Sequence, residues 1–283
     1  MSRKGKLTRR LLLYCLTLLC WSLLVPRSHA QVTSNVYMRV LKIKVGNETG
    51  TGFTLDVDGR QYLVTAKHMV AGLQSEDSIE IFKADKWNLI AVKIFRCADP
   101  IDIAILVPPA LLTVTYPLEP TEAKVFFGQD AYFVGFPFGL SMNGKNLNGD
   151  YPIGLVKKGT YSATLEEQGA HIIYLDGHNN FGFSGAPIVF RDLNQPNVVL
   201  CVVGVVSGFR PELAPVMTPV PVQTGQNITK IDPWRVVDLE NGRKAVLKDT
   251  QQMVALNTGI VIGYGIQHAV DLIREHPIGP KTN

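Results

Sequence analysis

Short apolar runs dominate the chain between residues 36 and 208, and clusters of Gly, Asp or Lys separate them. Runs of this length that are rich in Val, Ile and aromatic residues are typical of β-strands. The first group of predicted strands is Val36–Val45, Gly52–Val57, Gln61–Thr65, Ser78–Phe82 and Leu89–Phe95. The second group is Ala131–Gly135, Tyr151–Leu155, His171–Leu175, Pro187–Phe190 and Val198–Val206. Two successive groups of short strands predict an all-β protein, built either as two β-barrels or as a sandwich.

Two segments interrupt this pattern. Val107–Pro120 contains four prolines and has no clear period, so we predict a linker between the two groups. Phe209–Thr258 has few apolar runs and includes five prolines, which predicts a long loop or a loosely ordered excursion. Gly259–Gly263 resumes the strand pattern, and apolar residues at helical spacing then predict a short amphipathic helix over Ile266–Glu275. We expect the apolar face of this helix to pack on the second group of strands.

The first 30 residues have the order of features that is typical of a secretory signal peptide. Ser2–Arg10 carries five basic residues, Leu11–Val25 is almost entirely apolar, and Ser28-His29-Ala30 fits a cleavage site. The alternative is a membrane anchor, but the apolar run is shorter than the roughly 20 residues that a spanning helix needs. We therefore predict cleavage after Ala30, a secreted or periplasmic protein, and no membrane attachment after cleavage.

The charge of the chain changes when this segment is set aside. The precursor has 28 basic and 24 acidic residues, and six of the basic residues lie within residues 1–30, which contain no acidic residue. The predicted mature chain therefore has 22 basic against 24 acidic residues. This balance gives no reason to expect nucleic acid or an anionic membrane as a partner.

Two cysteines remain after the predicted cleavage, Cys97 and Cys201, and both lie in strand-like stretches. A disulfide is possible in an exported protein, but we favour two buried thiols that act as small apolar side chains. Neither cysteine has metal-ligand spacing to a histidine or to another cysteine. We expect neither a metal nor a cofactor.

A histidine, an aspartate and a serine each stand beside an apolar strand pattern. His68 follows Tyr62–Ala66, where an imidazole at a strand end could act as a general base. Asp102 precedes Ile103–Leu106, and a carboxylate there is costly without a partner such as an imidazole. Taken alone, His68 could be a surface histidine in a turn, and Asp102 could be an ordinary residue at a strand start. Asp99 is an alternative acid, but it precedes Pro100 and is more typical of a turn.

Ser184 lies in the string Gly-Phe-Ser-Gly-Ala-Pro of residues 182–187. The glycines at 182 and 185 permit a tight turn, so that the N–H groups of Gly182 and Ser184 can point at one oxyanion. An ordinary turn is the alternative interpretation. The elbow of an α/β-hydrolase needs a glycine at 186, where this chain has alanine, and that fold also places its histidine after its serine.

Together these strings resemble the chymotrypsin-fold serine proteases, and most closely the bacterial Deg-type (HtrA-type) branch. The resemblance covers nearly all of residues 51–208 and again residues 259–273. It includes the Gly50-Thr51-Gly52-Phe53 string before the histidine and the glycine-proline turn of Val134–Leu140. It implies two six-stranded antiparallel β-barrels with a short C-terminal helix. The protease domain would span residues 31–283, with barrel one at about 36–107, barrel two at about 123–265 and the helix at about 266–275.

The resemblance also assigns roles to particular residues. His68 would be the general base, Asp102 its orienting acid and Ser184 the nucleophile, with Gly182 and Ser184 providing the oxyanion hole. Substrate-binding positions would be Ser207, Gly208 and Phe209 on an edge strand that pairs with the substrate backbone. His178 and Asn179 would lie near the floor of the specificity pocket, where His178 could favour acidic residues or could simply be a turn residue.

The chain departs from the family pattern at two positions. Phe183 stands where relatives carry Asp or Asn, and Ala186 replaces the usual glycine. Because the sequence ends at Asn283, we also expect no PDZ-like domain after the protease domain.

These observations predict a secreted serine endopeptidase that acts on polypeptide substrates through an acyl-enzyme intermediate. Two other functions stay open. One is a catalytically inactive binding protein with the same fold, and the other is an esterase of similar mechanism. The oligomeric state and the preferred residue at the cleavage site are not predicted.

Overall fold

The computed structural model describes residues 32–144, 147–195, 197, 199–223, 225 and 227–282. The predicted signal peptide of residues 1–30 lies outside the described residues. Two α-helices frame the described chain: α1, Ser34–Tyr37, and α2, Gln267–Glu275. The strands of the first half are β1 Val40–Val45, β2 Glu48–Val57, β3 Arg60–Thr65, β4 Glu76–Lys83, β5 Lys86–Arg96 and β6 Ala104–Val107. Those of the second half are β7 Glu119–Pro120, β8 Asp130–Gly135, β9 Leu155–Glu167, β10 Ala170–Asp176, β11 Pro187–Arg191, β12 Leu200–Pro221, β13 Val236–Asp238 and β14 Lys244–Gly265.

Barrel one consists of β1 to β6, which close in the order β1-β2-β3-β6-β5-β4 with antiparallel pairing. Both faces of strand β3 are apolar, because its alternating side chains pack into two different clusters. Leu63 lies in the cluster inside the barrel with Leu41 and Ile43. Tyr62 and Val64 point the other way, because successive side chains alternate, and they join a second cluster.

Barrel two is formed by β8 to β12 and β14. These six strands follow each other in the order β14-β10-β9-β8-β11-β12, and the pairing of β12 with β14 closes the ring. Its interior contains aromatic side chains, among them Phe133, Phe183 and Phe190. The prediction of two six-stranded antiparallel barrels is therefore confirmed. The strand predicted at Tyr151–Leu155 is wrong, because β9 begins only at Leu155, and Ile153 forms an isolated bridge with Met142.

The segment Phe209–Thr258 is not a loop, which corrects the prediction. Within it, Pro211–Pro221 of β12 pairs with Ala245–Asn257 of β14 as a long antiparallel ribbon, and the short β13 pairs with the start of β14. We call residues 210–257 the arm. The prolines of β12 stand at positions 211, 215, 219 and 221, which are separated by even numbers. They can therefore all direct their nitrogen to the edge that faces away from β14, where no N–H is needed.

The C-terminal helix α2 packs on both barrels and not on the second barrel alone. Its Ala269, Val270 and Ile273 are buried in the same cluster as Phe53 of barrel one and Val202 of barrel two. The sequence predicts that the helix packs on the second group of strands, and the structure adds a contact with barrel one. The helix therefore covers apolar residues of both barrels.

The linker follows its predicted character, and of the two cysteines Cys201 is buried as predicted whereas Cys97 is only partly buried. Between β6 and β8 the only strand is the two-residue β7, which pairs in parallel with Cys201 and Val202. Cys97 and Cys201 are free thiols, and burial raises the pKa of each to about 11. Among the helices of the described residues, none is both long and apolar enough to span a membrane.

Candidate active site

The pairing of β3 with β6 brings His68 and Asp102 together. Thr65 at the end of β3 faces Ala104 at the start of β6. His68 lies three residues past Thr65 in a single 3-10 turn, and Asp102 lies two residues before Ala104. Strands that are neighbours in the barrel therefore place the imidazole and the carboxylate side by side, although 33 residues separate them in the sequence.

Two hydrogen bonds join these residues. The backbone N–H of His68 donates to Oδ1 of Asp102 at 2.8 Å, and Nδ1 of the ring lies 2.7 Å from Oδ2. A carboxylate at Nδ1 favours the tautomer that leaves Nε2 without a proton, free to accept one. The side chain of His68 is 46% exposed, so the ring is held at one nitrogen and open to solvent at the other.

Ser207 provides a third hydrogen bond to Asp102. Its hydroxyl donates to Oδ2 of the carboxylate at 2.5 Å. The sequence pattern indicated a backbone role for Ser207 on the edge strand but no contact between its side chain and Asp102. Only the tertiary structure shows that this hydroxyl reaches across from barrel two.

The competing acid, Asp99, does not contact His68. Its side chain is 96% exposed and pairs with Nζ of Lys67 at 2.7 Å. The structure therefore brings Asp102, and not Asp99, to the imidazole.

The electrostatics of the pair favour an ion pair over two neutral groups. The hydrogen bond that His68 donates to Asp102 is the largest cause that raises the pKa of His68, and partial burial only partly opposes it. Burial alone would raise the pKa of Asp102, but the hydrogen bonds from His68 and Ser207 outweigh burial and hold this pKa below its usual range. Asp102 is thus ionised near neutral pH, and it stabilises a proton on His68.

The turn that carries Ser184 requires glycine at two positions, 182 and 185. Gly182 has φ of +102° and Gly185 has φ of +84°. A Cβ at 182 would come within 2.3 Å of the carbonyl oxygen of Phe136, and one at 185 within 2.1 Å of that of Thr51. The string Gly-Phe-Ser-Gly therefore reflects both backbone conformation and the close approach of barrel one.

Two N–H groups beside Ser184 are left without partners. In the described part of the chain, the backbone N–H groups of Gly182 and Ser184 donate to no other group. Their carbonyl oxygens, in contrast, are both fixed by Thr51, through Oγ1 to Gly182 at 2.7 Å and through N–H to Ser184 at 3.0 Å. The turn thus presents two donors while its acceptors are satisfied, which is what a developing oxyanion requires.

The hydroxyl of Ser184 does not contact His68 directly. Oγ donates to the carbonyl oxygen of Ser207 at 3.3 Å, and among the described residues no hydrogen bond joins Oγ to the imidazole. Catalytic hydrogen bonds are often long or misaligned when no substrate is bound.

A cleft of about 560 Å³ contains His68 and Ser184 and includes all three predicted edge-strand residues, Ser207, Gly208 and Phe209. His178 is exposed and does not line this cleft. Asn179, named with His178 in the sequence analysis, does line it. The lining also includes residues that the sequence analysis did not identify, namely Glu48, Thr49, Met69, Asn180 and Phe181. Within the described residues there is no cluster of three His, Cys, Asp or Glu side chains that could hold a metal ion.

Comparisons with known proteins agree with the observed fold. The family model described as "Trypsin-like peptidase domain" matches residues 50–199, which is more than half of the chain. None of the curated proteins compared matches the sequence.

Among solved structures, the HtrA-type protease AlgW with a tripeptide is 17% identical, with a TM-score of 0.51 over 86% of this chain. This chain covers 61% of the AlgW chain. An inactive form of the Rv3671c protease is 16% identical, with a TM-score of 0.47, over 89% of this chain and 98% of that one. A second structure of Rv3671c identifies its source as M. tuberculosis H37Rv. At these identities the similarity to AlgW is one of fold.

Proposed function

Because the chain belongs to the trypsin-like peptidase family, we propose that it is a serine endopeptidase that uses Ser184, His68 and Asp102. The observation that carries this proposal is the shared cleft. It contains an imidazole bonded to a partly buried carboxylate, a serine hydroxyl, and two unpaired N–H groups beside that serine.

The chemistry follows from these groups. Oγ of Ser184 attacks the substrate carbonyl carbon while its proton passes to Nε2 of His68, and Asp102 stabilises the imidazolium that forms. The N–H groups of Gly182 and Ser184 donate to the resulting oxyanion. Collapse breaks the C–N bond, His68 returns the proton to the leaving amine, and Ser184 is left as an ester. Water then attacks the carbonyl carbon of this ester and gives a proton to His68. The bond between this carbon and Oγ breaks, the acid leaves, and His68 returns the proton to Oγ of Ser184.

The substrate would bind as an extended strand. The edge strand Ser207–Phe209 lies along the cleft, and its Ser207 carbonyl already faces Ser184. Pairing with this edge would align the residues on the acyl side of the scissile bond, which is the β-augmentation used in many peptide complexes. We propose that Asn179, Asn180 and Phe181, and not His178, contact the side chain next to the cleaved bond.

An inactive binding protein is the second candidate, and one observation favours it. The Ser184 hydroxyl donates to Ser207 and not to His68. Labelling with a fluorophosphonate separates the two candidates, because only an activated serine reacts at an appreciable rate. A purified protein that neither incorporates the label nor cuts peptides would support the binding role.

The replacement Ser184→Ala tests the proposed function. We expect it to abolish both labelling and peptide cleavage, with a loss of several orders of magnitude in kcat. Ser162→Ala, at an exposed serine on β9, is the matched control and should keep the wild-type rate. Near-normal proteolysis by Ser184→Ala, with an unchanged thermal unfolding curve, would refute the assignment.

We also propose that residues 1–30 form a cleaved signal peptide. The support is the sequence of basic, apolar and small residues described above. N-terminal sequencing of the exported protein should begin at Gln31. Recovery of a membrane-bound protein that retains Leu11–Val25 would contradict this proposal.

A further inference from the structure

The arm begins where the edge strand of the cleft ends. Strand β12 is continuous from Leu200 to Pro221, so Phe209, which lines the cleft, is followed directly by the first residues of the arm. A polypeptide that pairs with Ser207–Phe209 would therefore approach the arm as it leaves the cleft.

One face of the arm is continuous with the cleft. Side chains alternate along β12, so Phe209 shares a face with Pro211, Leu213 and Pro215. The register shift after Phe209 does not disturb this alternation, because the additional residues 258–260 lie on β14, opposite Arg210 alone. The partners across the ribbon share the same face. They are Asn257, Ala255 and Met253.

Two contacts show that this face is the one that looks toward the cleft. The ring of Phe209 packs edge-to-face on Phe181, with ring centres 6.3 Å apart. The side-chain amide of Asn257 donates to the carbonyl oxygen of Asn179 at 2.5 Å. Phe181 and Asn179 both line the cleft.

The residues beyond these contacts are apolar and exposed. We call Pro211, Leu213, Pro215, Met253 and Ala255 the apolar arm face. Leu213 is 63% exposed and Met253 is 55% exposed, and the face carries no charged side chain. Large apolar side chains that lie together on the surface, next to a binding cleft, are typical of interaction sites.

The backbone pairing is interrupted where the arm begins. Pro211, whose nitrogen faces the open edge of β12, has no N–H to donate to a substrate strand. We therefore expect side chains to contribute to recognition beyond Phe209.

We propose that the apolar arm face extends the substrate cleft and binds apolar side chains of the polypeptide on the acyl side of the scissile bond. The inference rests on the proposed peptidase function. Strand geometry gives the length of substrate that is needed to reach this face. Leu213 is four residues beyond Phe209, which is about 13 Å at the usual rise per residue. A substrate must therefore continue about four residues past the edge strand to reach it.

The test compares quenched fluorescent peptides that share a cleavable core, chosen by profiling the wild-type protein against a peptide library. A short peptide ends at the edge strand, one long peptide adds four apolar residues on the acyl side, and another adds four polar residues. We expect the apolar extension to raise kcat/KM about tenfold, which corresponds to roughly 1.4 kcal/mol. The polar extension should have little effect.

Variants on the two faces of the arm make the comparison specific. The double variant Leu213→Ser/Met253→Ser should lose the advantage of the apolar extension but keep the rate on the short peptide. The control, Val254→Ser/Leu256→Ser, changes exposed residues on the opposite face of the same ribbon and should keep the advantage. Circular dichroism and thermal unfolding would verify that both variants are folded.

The inference would be overturned if the wild type showed no preference for the apolar extension, or if both double variants lost that preference equally. It would also be overturned if the protein associated with itself and the Leu213→Ser/Met253→Ser variant lost only this self-association, with its peptide preference unchanged. This last result would assign the face to a second copy of the chain. If the wild type cuts no peptide, the proposed function fails, whereas the arm is still tested by anisotropy. The labelled long apolar peptide should then bind the Ser184→Ala protein more tightly than the polar one.

Discussion

The hydroxyl of Thr51, in barrel one, donates to the carbonyl oxygen of Gly182, in barrel two, at 2.7 Å. Thr51 is completely buried, and its Oγ1 also accepts a hydrogen bond from the N–H of Phe136 at 3.1 Å. A single side chain of one barrel therefore holds the turn that carries the candidate nucleophile of the other. Contacts with Thr51 thus fix the backbone of this turn across the boundary between the two barrels.

The replacement Thr51→Val tests this role. Valine has a similar shape but leaves the Gly182 carbonyl and the Phe136 N–H without their partner inside the protein, which costs about 1–3 kcal/mol for each buried group. We expect kcat on peptides to fall while KM changes little, because the turn would lose its fixed direction. Thr51→Ser keeps the hydroxyl and should restore most of the rate. Equal kcat values for the valine and serine variants would show that the hydroxyl does not position the turn.

Replacing Asp102 with asparagine should lower kcat strongly, whereas the same replacement at Asp99 should not. In Asp102→Asn, the side-chain N–H₂ cannot stabilise a proton on His68 and favours the wrong tautomer of the ring, so kcat should fall by about 10⁴-fold. Asp99→Asn changes only an exposed partner of Lys67 and should leave kcat/KM near the wild-type value. Steady-state kinetics on one peptide would compare both variants. The opposite ranking would assign the orienting role to Asp99.

The dependence of kcat/KM on pH should report the state of His68. The reaction needs a neutral imidazole, so the rate should rise with pH as His68 loses its proton. Because the hydrogen bond and charge of Asp102 raise the pKa of His68, the midpoint should lie above the ordinary value of about 6.5. In Asp102→Asn it should move to lower pH, since the stabilisation of the imidazolium is lost. A rate that stays constant between about pH 5 and 8 would contradict an imidazole base.

Phe183 should support stability as well as the turn. The residue is completely buried, and its ring packs edge-to-face on Phe133 with ring centres 4.9 Å apart. Phe183→Ala should therefore lower the free energy of unfolding by about 3–5 kcal/mol, as is usual for a core phenylalanine. Denaturant titration would measure this change. Phe181→Ala, next to it but exposed, is the control and should unfold at nearly the wild-type denaturant concentration.

Much of the fold could be predicted from local patterns. Strands such as Arg60–Thr65 and Ala170–Asp176 differ from their predicted bounds by one residue at each end or less, because short runs of apolar and β-branched residues are bounded by turn residues. The arm could not be predicted in this way. A proline breaks a strand only if its nitrogen faces the partner strand. In the arm that depends on pairing with residues far away in the sequence, from Pro221 with Ala245 to Pro211 with Asn257.

The sequence by itself determined which residues were candidates for chemistry. The apolar context of Asp102 favoured it over Asp99, and the glycines beside Ser184 indicated a tight turn with two free donors. These are local properties, since burial of a charge and a positive φ leave a mark on adjacent residues. The catalytic roles of these residues stay predictions until the variants are measured.

Only the tertiary structure decided which distant groups meet at the site. The hydrogen bond of Ser207 to Asp102, the contact of Thr51 with Gly182 and the position of His178 outside the cleft depend on how the two barrels pack. The same is true of the arm, which lies beside the cleft through the contact of Phe209 with Phe181. None of these has a sequence signature, because a hydrogen bond between barrels is set by strand register and packing, and no short string of residues encodes either.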